Sequence, residues 1–226
     1  MSDAKREAAE AALGLLPERG VVGLGSGSTA KFFIDGVARL VAEGRDLRAV
    51  ATSEASRRQA ESLGIPLLSD AGPWQIDVCV DGADEVSEDL DLIKGGGGCH
   101  SREKIVNYAS RYNVIVVDES KLSSRLGEKW AVPVEVLPFG SNSVRAWLER
   151  YGKVALRERG GRPFTTDSGN HIFDVNAGVI ADPLTLDREL LAIPGVVTTG
   201  LFIGRADVVV VAGSQAVRQL VRPNRR

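Results

Sequence analysis

Alternating strand and helix patterns in the first two thirds of the chain restrict its fold most strongly. Short apolar runs that predict strands, such as residues 21–24, 65–68 and 114–117, alternate with segments such as 29–42, whose apolar residues recur at helical spacing. Strands that alternate with helices form parallel sheets through right-handed crossover connections. We therefore predict an α/β fold with a Rossmann-like parallel sheet.

The last third predicts a different arrangement. From about residue 132 the order is β-α-β-β-α-β, which is typical of a ferredoxin-like fold. Within it, Asp182 is expected to cap a helix that has Pro183 at its first position. Residues 196–202 are expected to form the last strand of this arrangement, and the apolar run 206–212 is expected to return to the main sheet. We therefore expect residues 1–130 with 205–226 to form the Rossmann-like catalytic domain, and residues 131–204 an inserted ferredoxin-like α+β domain that acts as a lid.

Composition excludes several classes of function. The 226 residues are 43% hydrophobic and 26% charged, with a formal net charge of -2, which is typical of a globular protein and gives no electrostatic footprint for nucleic acid. No apolar run approaches the ~20 residues of a membrane span. Two histidines and two cysteines do not make a zinc cluster or a disulfide framework. We expect a cytoplasmic protein with no metal and no nucleic-acid or membrane partner.

Two glycine-rich segments are candidate anion sites. Lys94 precedes the four glycines of residues 95–98, whose backbone can approach a ligand closely and offer amide N–H groups. Gly25-Ser26-Gly27-Ser28-Thr29 stands between a predicted strand and a helix, where phosphate binds well. It is neither a Walker A motif nor a full dinucleotide fingerprint. A flexible loop and an ordinary turn are the respective alternatives.

Carboxylates stand close to both segments. Asp81 and Asp84 follow the apolar strand 76–80, where strand-end residues face the ligand crevice of a parallel sheet. Glu103 lies in the first turn of the next predicted helix and is a candidate general base. The alternatives are a solvated turn, interaction of Glu103 with the helix dipole, and a surface position for Lys94. Together these residue types suit proton transfer next to the carbonyl of a small phosphorylated substrate.

In this order the motifs resemble those of the type A ribose-5-phosphate isomerases. The matching stretches are Gly23-Leu-Gly-Ser-Gly-Ser-Thr29, Thr52-Ser-Glu-Ala-Ser56, Asp81-Gly-Ala-Asp-Glu85, Lys94-Gly-Gly-Gly-Gly98, Arg102-Glu-Lys-Ile-Val106, Pro133-Val-Glu-Val136, Gly161-Arg-Pro163, Asp167-Ser-Gly-Asn170 and Ile193-Pro-Gly-Val-Val-Thr198. The resemblance implies interconversion of ribose 5-phosphate and ribulose 5-phosphate in the pentose phosphate pathway, without a metal or other cofactor. It also implies a homodimer.

The resemblance implies a role for each matching position. Glu103 would carry the proton between C2 and C1, and Asp81 and Asp84 would assist ring opening and proton transfer at the sugar oxygens. Lys94 and the glycine amides would stabilise the enediolate. The residues implied in substrate binding are Lys5, Ser26, Gly27, Ser28, Thr29, Gly82, Ala83, Gly95, Gly96, Gly97 and Lys121.

One local departure and two alternative functions accompany the resemblance. Relatives commonly have small or aliphatic residues where this chain has Cys99-His100-Ser101. His100 is expected to cap the helix, and the alternative is that it perturbs Glu103. An isomerase or deaminase of amino sugar phosphates is a second enzymatic hypothesis. A sugar-phosphate-sensing regulator would need a helix-turn-helix, for which the residues before Val21 leave no room.

Overall fold

The predicted alternation of strands and helices is present in the computed structural model, which describes residues 2–213 and 216–222. The helices are α1 (Ser2–Leu13), α2 (Ser28–Ala42), α3 (Glu54–Ser62), α4 (His100–Tyr108), α5 (Ser141–Leu148) and α6 (Pro183–Leu191), with a 3₁₀ turn at Glu119–Lys121. The strands are β1 (Arg19–Leu24), β2 (Asp46–Ala51), β3 (Ile76–Asp81), β4 (Glu85–Val86), β5 (Leu92–Ile93), β6 (Ser110–Asp118), β7 (Val132–Val136), β8 (Lys153–Leu156), β9 (Glu158–Arg159), β10 (Arg162–Pro163), β11 (His171–Asn176), β12 (Val196–Thr199), β13 (Leu201–Phe202), β14 (Val208–Ala212) and β15 (Val217–Val221). Of the predicted segment 205–226, residues 214, 215 and 223–226 lie outside the described part.

The chain forms two compact units. The first contains the residues up to Ala83, Arg102–Lys121 and the residues from Gly204 onward. The second contains Asp84–Ser101 and Leu122–Ile203.

A six-stranded sheet organises the first unit, in the order β15-β14-β6-β3-β1-β2. Neighbouring strands are parallel except for β14 and β15, which are antiparallel. Val21 and Val22, neighbours on β1, belong to different apolar clusters, since successive side chains of a strand face opposite sides. Val22 packs with Phe33 of α2, whereas Val21 packs with Val106 of α4. The predicted α/β fold with a mostly parallel central sheet is confirmed.

Three strands of this sheet end at the same edge. In the pairing register, Leu24 at the end of β1 faces Val80, and Asp81 at the end of β3 faces Ile115. Because the strands are parallel, the loop after β1, the carboxylate of Asp81 and the turn after β6 all lie at the carboxyl edge. Ligands of open α/β sheets bind at this edge.

The second unit has its own core and sheets. Four antiparallel strands have the order β12-β7-β11-β8, and three short strands have the order β13-β5-β4. Buried side chains of β7, β11, α5 and α6 form one cluster, which includes Val134, Phe173, Leu148 and Leu190. Helix α6 begins as predicted, because the Asp182 carboxylate accepts a hydrogen bond from the Thr185 amide at 3.0 Å and Pro183 follows.

Two segments differ from the sequence prediction. Residues 65–68, predicted as a strand, make only a single bridge between Ala49 and Leu67, because Pro66 has no amide N–H to donate to a ladder. The segment 196–202, predicted as one strand, is divided at Gly200 into β12 and β13, which belong to different sheets. Within the described residues, none of the helices has the length and apolar character needed to span a membrane.

Candidate active site

The predicted site residues fall into two sets, one in each unit. The first unit contains Lys5, Ser26, Gly27, Ser28, Thr29, Asp81, Gly82, Ala83, Glu103 and Lys121. The second unit contains Asp84, Lys94, Gly95, Gly96 and Gly97. The chain passes from the first unit to the second between Ala83 and Asp84, within the Asp81–Glu85 motif. It returns between Ser101 and Arg102, directly before the Arg102–Val106 motif.

In the first unit, the loop after β1 leads into the N-terminus of α2. Gly27 precedes the helix with φ of 95°, a conformation that favours glycine. The Lys5 ammonium group donates a hydrogen bond of 2.8 Å to the Ser28 hydroxyl, at the first residue of the helix. A helix N-terminus with a serine hydroxyl and a lysine is well suited to a phosphate group.

Asp81 is fixed in place by this loop. Its side chain is buried, and Oδ1 accepts hydrogen bonds from the amides of Ser26 at 2.9 Å and Gly82 at 2.8 Å. A Cβ atom at Gly25 would overlap the Asp81 carboxyl group, so glycine is required there for the loop to approach so closely. The Ser26 hydroxyl also lies 2.8 Å from the Thr52 hydroxyl, which ties the loop to the end of β2.

Glu103 lies in the first turn of α4, as predicted, and only 5% of it is exposed. Its neighbour Arg102 donates a hydrogen bond of 2.7 Å to Glu54 at the start of α3. This hydrogen bond lowers the pKa of the Glu54 carboxyl group. The chain that leads into Glu103 is therefore anchored to a second helix of the same unit.

Lys121 closes the 3₁₀ turn that follows β6. Burial of Asp118 tends to raise the pKa of its carboxyl group. Hydrogen bonds from the hydroxyl and amide of Ser120, together with the charges of Lys121 and Lys5, outweigh this effect, so the pKa of Asp118 is lowered. Asp118 therefore balances the positive charge of two lysines that are predicted to bind the substrate.

In the second unit, Asp84 is held by the glycine-rich segment. Its Oδ2 atom accepts a hydrogen bond of 2.7 Å from the Gly96 amide. A Cβ atom at Gly96 would lie 2.6 Å from Asp84 Oδ1, so a larger residue would displace the carboxylate. The space beside Gly97, by contrast, is open to 4 Å. The segment thus pairs one closely packed glycine with one that leaves room for a ligand.

Lys94 is only 3% exposed, which is unusual for a lysine and excludes the alternative of an ordinary surface position. Its amide donates a hydrogen bond of 2.8 Å to Gly200 O, and its ammonium nitrogen lies 5.5 Å from the centre of the Phe202 ring. The aromatic ring supplies a favourable contact for the buried cation.

Beneath the glycine-rich segment lies a buried polar cluster that the sequence did not predict. His100 is fully buried, and its Nε2 atom is 4.0 Å from the Glu135 carboxylate. Glu135 also accepts hydrogen bonds from the hydroxyls of Ser101 and Thr166 and from the Asn170 amide, the last two at 2.9 Å. These contacts explain two of the motifs that had no assigned role, Pro133-Val-Glu-Val136 and Asp167-Ser-Gly-Asn170. The expected capping role of His100 stays a prediction.

Arg157 is another contact of the site that the sequence did not predict. It donates hydrogen bonds to the carbonyl groups of Gly95 at 2.5 Å and Gly96 at 3.2 Å. The sequence around it has no motif or periodicity that marks this arginine among its neighbours. In the part of the chain that is described, no group of three or more His, Cys, Asp and Glu side chains is arranged to hold a metal ion.

Comparison with known proteins identifies the family. Residues 48–216 match the family model described as ribose 5-phosphate isomerase A (phosphoriboisomerase A). The chain is 46% identical over 220 residues to "Ribose-5-phosphate isomerase A" of Desulfatibacillum aliphaticivorans, with 96% of each chain covered. The chain belongs to the ribose-5-phosphate isomerase A family. A second relative, "Ribose-5-phosphate isomerase A" of Thermomicrobium roseum, is 44% identical, with 97% of this chain and 94% of the relative covered.

Solved structures of ribose-5-phosphate isomerases have the same fold. The enzyme from Plasmodium falciparum superimposes with a TM-score of 0.95 at 32% identity, covering 99% of this chain and 100% of that one. A D-ribose-5-phosphate isomerase in complex with phospho-erythronic acid gives a TM-score of 0.94 at 38% identity, covering 97% of this chain and 98% of that one. The similarity to these isomerases therefore extends over nearly the whole chain.

Proposed function

We propose that this protein is an aldose–ketose isomerase that interconverts D-ribose 5-phosphate and D-ribulose 5-phosphate in the non-oxidative pentose phosphate pathway. The observation that carries the proposal is the 46% identity to a ribose-5-phosphate isomerase A across 96% of both chains. The phospho-erythronic acid bound by one structural relative is a phosphorylated sugar acid, which fits a site for a small sugar phosphate.

The proposed chemistry is proton transfer through an enediolate. Glu103 removes the proton from C2 of the open-chain aldose, and the electron pair moves towards O1 as the carbonyl bond opens. The proton is then returned to C1, while O2 loses its proton and O1 gains one, so that the carbonyl forms at C2 and a hydroxyl group at C1. The burial of Glu103 supports this role, because a general base is most effective where water does not compete with the substrate.

The remaining catalytic residues act on charge and on oxygen atoms. Lys94, with the amides of Gly95, Gly96 and Gly97, stabilises the negative charge of the enediolate. Donors fixed in advance around developing charge are among the largest contributions to catalysis. Asp81 and Asp84 assist ring opening and proton transfer at the sugar oxygens, and their hydrogen bonds to loop amides support a fixed orientation.

The phosphate group is proposed to bind at the N-terminus of α2. Lys5 and Lys121 supply positive charge. The hydrogen bond between the Lys5 ammonium group and the Ser28 hydroxyl supports the placement of Lys5 at this helix N-terminus. The remaining residues proposed to contact the substrate are Ser26, Gly27, Thr29, Gly82 and Ala83.

The domain organisation is part of the proposal. We infer a Rossmann-like catalytic domain of residues 1–130 with 205–226, and an inserted ferredoxin-like domain of residues 131–204 with lid and oligomerisation roles. The antiparallel order β12-β7-β11-β8, with α5 and α6 as connections, supports the ferredoxin-like arrangement, in which the fourth strand lies beside the first. A homodimer and a cytoplasmic location stay predictions.

Isotope exchange tests the proposal directly. The purified protein is incubated with ribose 5-phosphate in D₂O, and both ribulose 5-phosphate and deuterium at C2 are followed by NMR. We expect both to appear, whereas a sugar-phosphate-sensing protein would produce neither. Glucosamine 6-phosphate in a parallel reaction separates pentose from hexosamine chemistry, and turnover of that substrate alone would refute the proposal.

A further inference from the structure

We propose that Arg157 is a positioning residue of the isomerase, which holds the peptide groups of the glycine-rich segment and, through them, the carboxylate of Asp84. The proposal rests on the function inferred above and adds to it a residue that touches neither the substrate nor the reacting atoms.

The guanidinium group of Arg157 is held from both sides. Its Nε and Nη2 atoms donate to the two oxygens of Asp174, the first at 3.0 Å. Its Nη1 atom donates to Gly95 O at 2.5 Å and Gly96 O at 3.2 Å. The Arg157 backbone is fixed as well, because its amide donates to Ile172 O at 2.9 Å and its carbonyl accepts from the Phe164 amide at 2.8 Å. The side chain thus extends from a rigid base to the glycines.

Arg157 and Asp84 form hydrogen bonds with opposite ends of one peptide group. The Gly95 carbonyl and the Gly96 amide belong to the same peptide unit, and that amide donates to Asp84 Oδ2 at 2.7 Å. A hydrogen bond accepted by the carbonyl polarises the peptide and strengthens its N–H as a donor. The orientation of the Asp84 carboxylate therefore depends on Arg157, although the two side chains are joined only through the backbone.

The next peptide group is oriented by the same arginine. Gly96 O, the second carbonyl that Arg157 contacts, shares its peptide unit with the Gly97 amide. That amide is one of the donors proposed to stabilise the enediolate, and the space beside Gly97 is open. Because a peptide unit is planar, a Gly96 carbonyl that is held by Arg157 also fixes the direction of the Gly97 N–H.

Arginine suits this position for two physical reasons. A run of four glycines has great backbone freedom, and within it the Gly98 amide donates a turn hydrogen bond of 2.9 Å to Gly95 O. Arg157 adds hydrogen bonds to both the Gly95 and the Gly96 carbonyl groups and so restricts the peptide planes further. The planar guanidinium group donates in several fixed directions and can bind Asp174 and both carbonyls together. The smaller ammonium group of lysine has no such planar fork, so a lysine is expected to hold the segment incompletely.

Steady-state kinetics of Arg157→Met and Arg157→Lys test the proposal. Since a misplacement of about 1 Å can cost roughly 10²-fold in rate, we expect kcat of Arg157→Met to fall roughly 10- to 100-fold while KM for ribose 5-phosphate changes far less. The kcat of Arg157→Lys should lie between that of Arg157→Met and that of the wild type. Arg162→Met removes an exposed arginine from the neighbouring hairpin strand and should leave kcat unchanged.

A second measurement does not depend on activity. Amide hydrogen exchange of residues 95–98 should be faster in Arg157→Met than in the wild type and in Arg162→Met. If Arg157→Met is poorly folded, Arg157→Met combined with Asp174→Asn removes the unpaired carboxylate and is measured in its place.

The outcomes separate this proposal from the proposed function. A wild type that does not turn over ribose 5-phosphate refutes the function, while the exchange measurement still tests the positioning role. An active wild type beside a folded Arg157→Met with unchanged kcat and unchanged exchange refutes the positioning role alone. A fall in melting temperature with unchanged kcat would likewise mean that Arg157 is merely structural.

Discussion

At the scale of single residues, Asp81 and Asp84 are held in the same way. Each carboxylate accepts hydrogen bonds from amides of a glycine-rich loop and packs against a glycine that has no room for a side chain. A carboxylate fixed in this way loses little further freedom when the substrate binds, which favours reaction. The two loops that are proposed to bind anions therefore also orient the two carboxylates that are proposed to be catalytic.

Replacement of Glu103 gives the sharpest test at this scale. Glu103→Gln keeps the size of the side chain but removes the basic oxygen, so we expect normal folding and substrate binding with a loss of roughly 10²–10⁴ in kcat. Exchange of the C2 hydrogen with solvent, followed by NMR, reports on the base itself. Glu88→Gln, at an exposed position, is the matched control. Near-normal exchange in a folded Glu103→Gln protein would assign the base to another residue, with Asp81 or Asp84 next in line.

The residues of the site differ in how far the sequence predicted them. Asp81 ends strand β3 and Asp84 follows it, so the local pattern of an apolar strand leading into carboxylates was sufficient to select them as candidates. Arg157 contacts Gly95 from 62 positions away in the sequence, and its role depends on how β8 and β11 place it. Glu135 lies in an apolar stretch that predicts a strand. Its polar partners come from two other segments, at Ser101 and at residues 166–170. Long-range contacts of this kind leave no mark in local composition.

At the scale of secondary structure, the N-terminus of α2 predicts strong dependence on the substrate phosphate. Unphosphorylated ribose lacks the group that this terminus and the lysines are proposed to bind, so its kcat/KM should be far below that of ribose 5-phosphate. Lys5→Gln removes one charge-assisted contact and should raise KM for ribose 5-phosphate roughly 10-fold. Lys31→Gln, an exposed lysine on the same helix, should leave KM unchanged. Comparable kcat/KM for the two sugars would contradict the phosphate assignment.

The turn after β6 predicts a pH dependence of stability. The pKa of Asp118 is lowered in the folded protein, so the unfolded chain binds its proton more tightly and stability rises with pH. The stabilisation is complete above the unfolded pKa of about 3.9 and is lost as pH falls through the lower folded value. Urea unfolding should show Asp118→Asn to be less stable than the wild type by about 1 kcal/mol at pH 7. The difference should shrink below pH ~4, and an equal difference at both pH values would contradict this account.

Helices and buried strands were the elements that the sequence predicted best. β6 and β14 have continuous buried runs, and α2 has a regular apolar face, so hydrophobic periodicity is informative for them. The two-residue strands β4, β5 and β13 are too short for any period to show. β15 has exposed polar residues at its centre, and its pairing with β14 gives it a strand conformation that its composition does not predict.

At the scale of the whole molecule, we expect a homodimer. The family resemblance implies this state, and the second unit has several large apolar side chains that are exposed in the single chain, among them Phe139, which is 93% exposed. Light scattering at micromolar concentration should give twice the mass of the 24.1 kDa chain. Monomer mass alone across that range would contradict the expectation.

We also expect strand β15 to protect the molecule against aggregation. Without it, β14 would be the edge of the sheet, and β14 is five consecutive buried residues, four valines and an alanine. An uncovered apolar edge strand with no charge is the kind of segment that pairs with other chains and starts insoluble fibres. β15 fills this position with a strand whose exposed residues include Arg218 and Gln219, and Arg222 anchors its end through a hydrogen bond of 3.1 Å to Ala206 O. We therefore expect this short polar strand to lower the tendency of the sheet to pair edge to edge with other chains.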